Sequence, residues 1–239
     1  MTLMDRLAAL SALDAFAVLA LVAAFGGISW RIEHPKPSNP SVSWLMAAYR
    51  RAWMLEMVTR EPRIFDSQIM ASLRQGTAFF ASTALIAIGG VLALAGNPAP
   101  LTGLAAAIEQ REVPTLLWQL RLAPVLILLT NAFLKFVWAN RLFGYASVVM
   151  AAVPQDISDP CTYPRAEKAG EINIRAATNF NRGLRSIYFG LAALAWLAGP
   201  IALMAATAFT TWTLYRREFA STSRDLLLQD ETPKTSDAP

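Results

Sequence analysis

Residues 75–108 run for 34 positions without one charged side chain, and this stretch limits the possible folds more than any other feature. A helix needs about 20 apolar residues to cross the hydrocarbon of a bilayer. Lipid offers no hydrogen bonds to an exposed backbone, so such a stretch must satisfy its own peptide groups, which a helix does along its length. Residues 78–96 supply the span, and Asn97, Pro98 and Pro100 stop it. Composition agrees with a bilayer environment. Charged residues make up 16% of the chain, against about 25% in soluble domains, and they fall in blocks between uncharged runs.

The expected fold is all-α: an integral membrane protein with four transmembrane helices plus amphipathic and extended cytoplasmic helices. The spans fall at about 10–30, 77–97, 118–140 and 186–215. They form one membrane domain over 1–218, followed by a polar tail over 219–239. The third span has only 13 uncharged residues, 122–134, so Arg121 and Lys135 must snorkel at its ends. The same helix can continue as far as residue 153. The fourth stretch is uncharged for 30 residues, 186–215, and is expected to form one helix bent at Pro200.

The distribution of Lys and Arg sets the orientation. Residues 31–74 carry seven and residues 141–185 carry six, so the segments 31–76 and 141–185 are expected on the cytoplasmic side. Both termini are then expected to be periplasmic, in a bacterial inner membrane. Arg216 and Arg217, directly after the fourth span, run against that assignment.

Three prolines in residues 35–40 keep a helix from starting, and Ser41 is a suitable N-cap. From 42 to 58 the apolar residues Val42, Leu45, Met46, Tyr49, Trp53 and Met57 recur at helical spacing. This amphipathic helix is expected to lie on the anionic inner leaflet or to bind a partner, with Arg50, Arg51, Trp53, Arg60 and Arg63 as candidate lipid or partner contacts. A second helix is expected to start near Pro62, with Arg63 and Asp66 paired locally. A polar helix over about 165–185 carries Glu167 and Glu171, which Lys168 and Arg175 can neutralise. The apolar run 101–108 is too short to cross and is expected at the outer interface.

Ionisable groups within membrane spans are candidates for function because they are costly to bury. Asn131, Lys135 and Trp138 share one face of the third span, and Asn140 and Arg141 follow at its inner end. Together they form a candidate polar membrane face for an anion or lipid phosphate. The simpler account has Lys135 snorkelling, Asn131 bonding to a neighbouring helix and Trp138 in the aromatic belt. Asp14 is the one carboxylate in a predicted span, with Arg121 as its expected neighbour. The small pairs Gly26–Gly27 and Gly89–Gly90 suit close helix contacts.

His34 is the sole histidine and Cys161 the sole cysteine. A four-ligand zinc site or a bis-histidine haem is therefore beyond the chain alone, and no metal ligand, cofactor or catalytic residue is expected. No Walker loop, dinucleotide fingerprint or nucleophile elbow is present. The basic residues flank membrane spans, which makes anionic lipid a nearer partner than nucleic acid.

Three stretches carry a family resemblance: RRAWMLEMVTREPRIFDSQIMASLRQGTAFFAST at 50–83, FLKFVWANRLFGYASVVMAAVP at 133–154 and NFNRGLRSIYFGLAALAWLAGP at 179–200. With LYRREFAS at 214–221, they resemble the bacterial membrane family DUF599 along nearly the whole chain. The resemblance implies a helical membrane protein and brings no activity or catalytic residue with it. The expected function is a non-catalytic accessory or structural subunit of a membrane complex, acting with that complex or with itself as a homo-oligomer. The alternative is an oligomeric channel or carrier for a small, anionic solute.

Overall fold

The computed structural model describes residues 11–97 and 115–229, and these contain helices and no strand. The expected interfacial run 101–108 lies outside them, as do residues 1–10 and 230–239. Among the described residues, three helices are long and apolar enough to cross a membrane.

The first is α1, Ala12–Glu33. It opens with a reciprocal cap in which Ser11 Oγ accepts from the Asp14 N–H and the Asp14 carboxylate accepts from the Ser11 N–H, each at 3.1 Å. Ser41 then caps α2, Val42–Thr59, by accepting from the Trp44 N–H. The Ser41 hydroxyl donates back to the Ile32 carbonyl at 2.8 Å, which locks the turn between α1 and α2.

The second and third spanning candidates are α3, Ile64–Gly96, and α4, Thr115–Ala151. At about 1.5 Å per residue they measure roughly 50 and 55 Å, well beyond a hydrocarbon layer of about 30 Å. The helix expected to begin near Pro62 and the second span are one continuous rod, and the third span continues beyond 140 as its apolar pattern allows. The two rods run antiparallel: Gln119 donates to the Ala95 carbonyl at one end and Asn140 to the Arg74 carbonyl at the other. Next comes α5, Thr162–Leu194, which packs antiparallel along α4.

The fourth predicted span departs from expectation. Residues 186–215 do not form one bent helix. The chain leaves α5 through a 3₁₀ turn, Ala195–Ala198, passes Gly199 at φ +108°, and starts α6, Pro200–Phe219, with Pro200 in its first turn. Only glycine adopts that backbone conformation freely, and proline suits a helix start, so the Gly-Pro pair ends one helix and begins another. The new helix folds back along α5, and Arg217 donates to the Tyr188 hydroxyl at 3.0 Å.

This reversal carries the end of the described chain to the basic segments. The Arg31 guanidinium lies 4.5 Å from the Phe219 ring centroid. In the short helix α7, Thr222–Leu227, Arg224 donates to the Pro40 carbonyl at 2.9 Å and to Asn39 Oδ1 at 2.8 Å. Residues 11 and 229 therefore lie at opposite ends of the bundle, in place of the single side expected for both termini. The expected polar tail is, as far as residue 229, a helix anchored to the 39–40 turn. Arg216, Arg217 and Arg224 join the other basic residues, which removes the conflict in the charge count.

The core has three tiers. One holds Leu21, Ile28, Leu122, Val125, Phe189 and Leu203, from α1, α4, α5 and α6. A middle tier is aromatic, with Phe136 packed among Phe80, Phe180 and Ala132. The third, at the basic end, holds Met54, Met57, Met70, Phe143, Met150 and Ala169, from α2, α3, α4 and α5. This last tier forms a helical head around the start of α3 and the end of α4.

Close approach between α4 and α5 depends on glycines other than those expected. A Cβ on Gly183 would come within 2.6 Å of Phe136 Cε1, whereas Gly26, Gly27, Gly89 and Gly90 have no such neighbour within 4 Å among the described residues.

Candidate functional site

A cavity of about 580 Å³ opens at the basic end, where α1, α2, α5 and the last turn of α6 converge. Its charged lining is four guanidiniums, Arg50, Arg51, Arg182 and Arg185, against two carboxylates, Glu33 and Glu218, with His34 at the rim.

Glu33 closes α1 and takes two arginines from successive turns of α5. Arg182 forks onto both carboxylate oxygens, with its Nε at 2.9 Å, while the nearly buried Arg185 also reaches Glu33 and donates to Ser29 at 3.1 Å. One carboxylate bears two guanidiniums here, and Glu218 acts on Arg185 as a second, more distant anion. Glu218 accepts from the Ser43 N–H at 3.0 Å and from the Ser43 hydroxyl at 2.9 Å, which puts its charge on the first turn of α2. His34 stacks on Trp30 and contacts the Trp30 carbonyl through Nδ1.

The expected lipid- or partner-facing residues divide between surface and interior. Arg51 is exposed and pairs with Glu171 at 2.6 Å, joining α2 to α5. Glu171 thus finds its cation across helices, not in the expected Lys168 or Arg175. Arg50 turns inward to the amide oxygen of the fully buried Asn173 and has no carboxylate partner among the described residues. Burial pushes its guanidinium pKa below the usual arginine value. Trp53 and Arg60 both donate to Asp66, the indole at 2.7 Å. Arg63 is not paired with Asp66 as expected; it donates to the Val153 and Pro154 carbonyls at 2.7 and 2.9 Å, holding the turn that follows α4.

The apolar stripe expected on α2 is also rotated. Met54, Met57 and Val58 are buried in the head, while Trp44, Met46 and Tyr49 stay exposed. The helix packs on α5, which claims the Arg50 side of its first half and the methionine side of its second.

The residues of the candidate polar face on α4 each bond to a different neighbour or stand apart among the described residues. Asn131 donates to the Ser186 hydroxyl at 2.7 Å, Asn140 bonds the Arg74 carbonyl, and Arg141 bonds its own neighbour Tyr145 at 2.5 Å. Trp138 is exposed, and Lys135 is half-buried with no ion pair or hydrogen bond among the described residues. At the opposite end of the bundle Asp14 accepts from Trp196 at 2.7 Å, with Arg121 within electrostatic reach and bonded to the Leu197 carbonyl at 3.5 Å.

Sequence reasoning missed Glu33, Asn173, Arg182, Arg185 and Glu218 as site residues. The available signal was positional. Glu33 directly follows the first apolar stretch and Arg182 and Arg185 directly precede the fourth, so charges at neighbouring span ends were bound to face one another.

Fold and site together define, over the described residues, an all-helical protein with helices long and apolar enough to cross a membrane and a basic cavity at one end. It belongs to the family described as "Protein of unknown function, DUF599", whose model matches residues 16–223 and so covers most of the chain. No curated protein and no solved structure matches it.

Proposed function

We propose that this protein is a non-catalytic accessory or structural subunit of a membrane complex, set in a bacterial inner membrane with its basic end toward the cytoplasm. The observation that carries this reading is the use made of the polar side chains in α4. Asn131 and Asn140 are spent on α5 and α3, so they act as bonds between helices, not as a path for solute. The side chains left open are apolar: Phe16, Leu19 and Val22 on α1, and Phe79, Leu85 and Ile86 on α3. Such faces suit lipid or another helical protein. The placement of Arg216, Arg217 and Arg224 beside the other basic residues supports the cytoplasmic assignment of that end.

The test is purification at native expression in mild detergent, followed by mass spectrometry. A stoichiometric foreign membrane protein supports the reading. A lone monomer, together with intact membrane complexes in a deletion strain, rejects it.

The half-buried and unpaired Lys135 favours a second reading, an oligomeric channel or carrier for a small anion. Lys135→Ala then abolishes or alters anion flux in liposomes, and a wild type without flux removes this alternative.

A further inference from the structure

We propose that the cavity between α1, α2 and α5 is a binding site for a phosphate-bearing anion, with Arg50 as its principal ligand. The inference stands apart from the accessory role, since it concerns what the chain itself binds.

The argument starts from the use of the cations. Arg182 and Arg185 are committed to Glu33, and Arg51 to Glu171. Arg50 alone lines the cavity without a carboxylate, held by one neutral amide oxygen from Asn173. A guanidinium carries five N–H donors, so most of those on Arg50 remain available. A partly desolvated cation is costly unless an anion compensates it.

Shape and placement narrow the ligand. A volume of about 580 Å³ far exceeds what a lone carboxylate needs and lies within the range of small-molecule sites, roughly 300–1,000 Å³. The guanidinium fork matches phosphate oxygens in bidentate geometry. Four arginines against Glu33 and Glu218 leave the cavity lining as a whole with an excess of cationic groups. The site sits where α1 ends its apolar stretch, and the exposed Trp44 and Met46 belong to its lining. Those apolar groups suit the glycerol and first methylenes of a lipid above a basic floor. The shared chemistry is a phosphate group, which an anionic phospholipid or free phosphate can supply.

The experiment uses the full chain purified in a neutral detergent. Phosphatidylglycerol, phosphatidylcholine and inorganic phosphate are added separately, with retention read by native mass spectrometry and stabilisation by thermal unfolding. Phosphatidylglycerol retained over phosphatidylcholine identifies a lipid headgroup site; a shift with inorganic phosphate alone identifies a soluble anion. Arg50→Gln should weaken binding about tenfold or more, the size of one lost charge-assisted contact, and Arg50→Lys should recover part of it. Ala47→Phe puts a ring into the cavity beside Arg50 without removing a charge and should also weaken binding, which keeps the test valid if Arg50→Gln misfolds. No response to either ligand overturns the proposal, as does wild-type binding by Arg50→Gln or by Ala47→Phe.

Discussion

Trp196 donates its indole N–H to Asp14 across 2.7 Å, joining the turn after α5 to the first turn of α1. Both residues are buried, and the contact fixes where the chain reverses before α6. Replacing Trp196 with Phe removes a donor from a buried carboxylate that keeps its bonds to Ser11. The expected cost is about 1–3 kcal/mol, visible as a lower melting temperature in detergent. Combined with Asp14→Ala, which removes the acceptor, the loss should be less than additive, because each change removes the same interaction.

The reversal at Gly199 also predicts which residues share a side. Cys161, the only native cysteine, is exposed at the turn before α5. In a Cys161→Ser background, a cysteine at Ser223 should react with a membrane-impermeant maleimide from the side on which Cys161 reacts in the wild type. A cysteine at Ala12 should react only from the other side. Labelling of positions 12 and 223 from one side would restore the single bent span over 186–215.

Packing between α4 and α5 gives a sharper contrast. A methyl group on Gly183 meets the Phe136 ring, itself wedged between Phe80 and Phe180. Gly183→Ala should therefore destabilise by about 1–3 kcal/mol, the usual cost of overpacking. Gly26→Ala adds its methyl to open space and should leave the melting temperature unchanged or slightly raised, since alanine favours a helix by up to about 1 kcal/mol. Equal effects from the two substitutions would contradict the packing described.

Hydropathy read the rods correctly, because lipid acts on every residue of a stretch and the signal accumulates. It placed α1, the apolar part of α3 and the stretch 118–140 of α4, which runs on to Ala151. It could not separate one helix from two over 186–215, since both are equally uncharged; the decision rests on Gly199 and Pro200, two residues whose local backbone preference a charge count ignores. The site was harder to read for a different reason. Arg50 and Arg51 are adjacent and chemically identical in sequence, yet α5 makes one an interior group and the other a surface ion pair. Periodicity gave the angle between them without saying which side α5 would take.

The contact of Asp66 with Arg60 allows an asymmetric prediction. The Asp66 side chain is fully buried, at 0% exposure, whereas Arg60 is 37% exposed and lies 5.6 Å from the Phe65 ring centroid. Asp66→Asn keeps an oxygen to accept from Trp53 and leaves Arg60 able to hydrate, so it should cost only about 1 kcal/mol. Arg60→Gln leaves a buried carboxylate with the Trp53 N–H as its remaining side-chain donor, and one oxygen, Oδ2, already has none. That variant should lose about 3–5 kcal/mol, the usual penalty for stranding a buried charge. Removing the stranded charge should then restore stability, so the double variant Arg60→Gln/Asp66→Asn is expected to melt above Arg60→Gln alone. A double variant no more stable than that single one would mean that Arg60 contributes through its packing on Phe65 and not through the charge of Asp66.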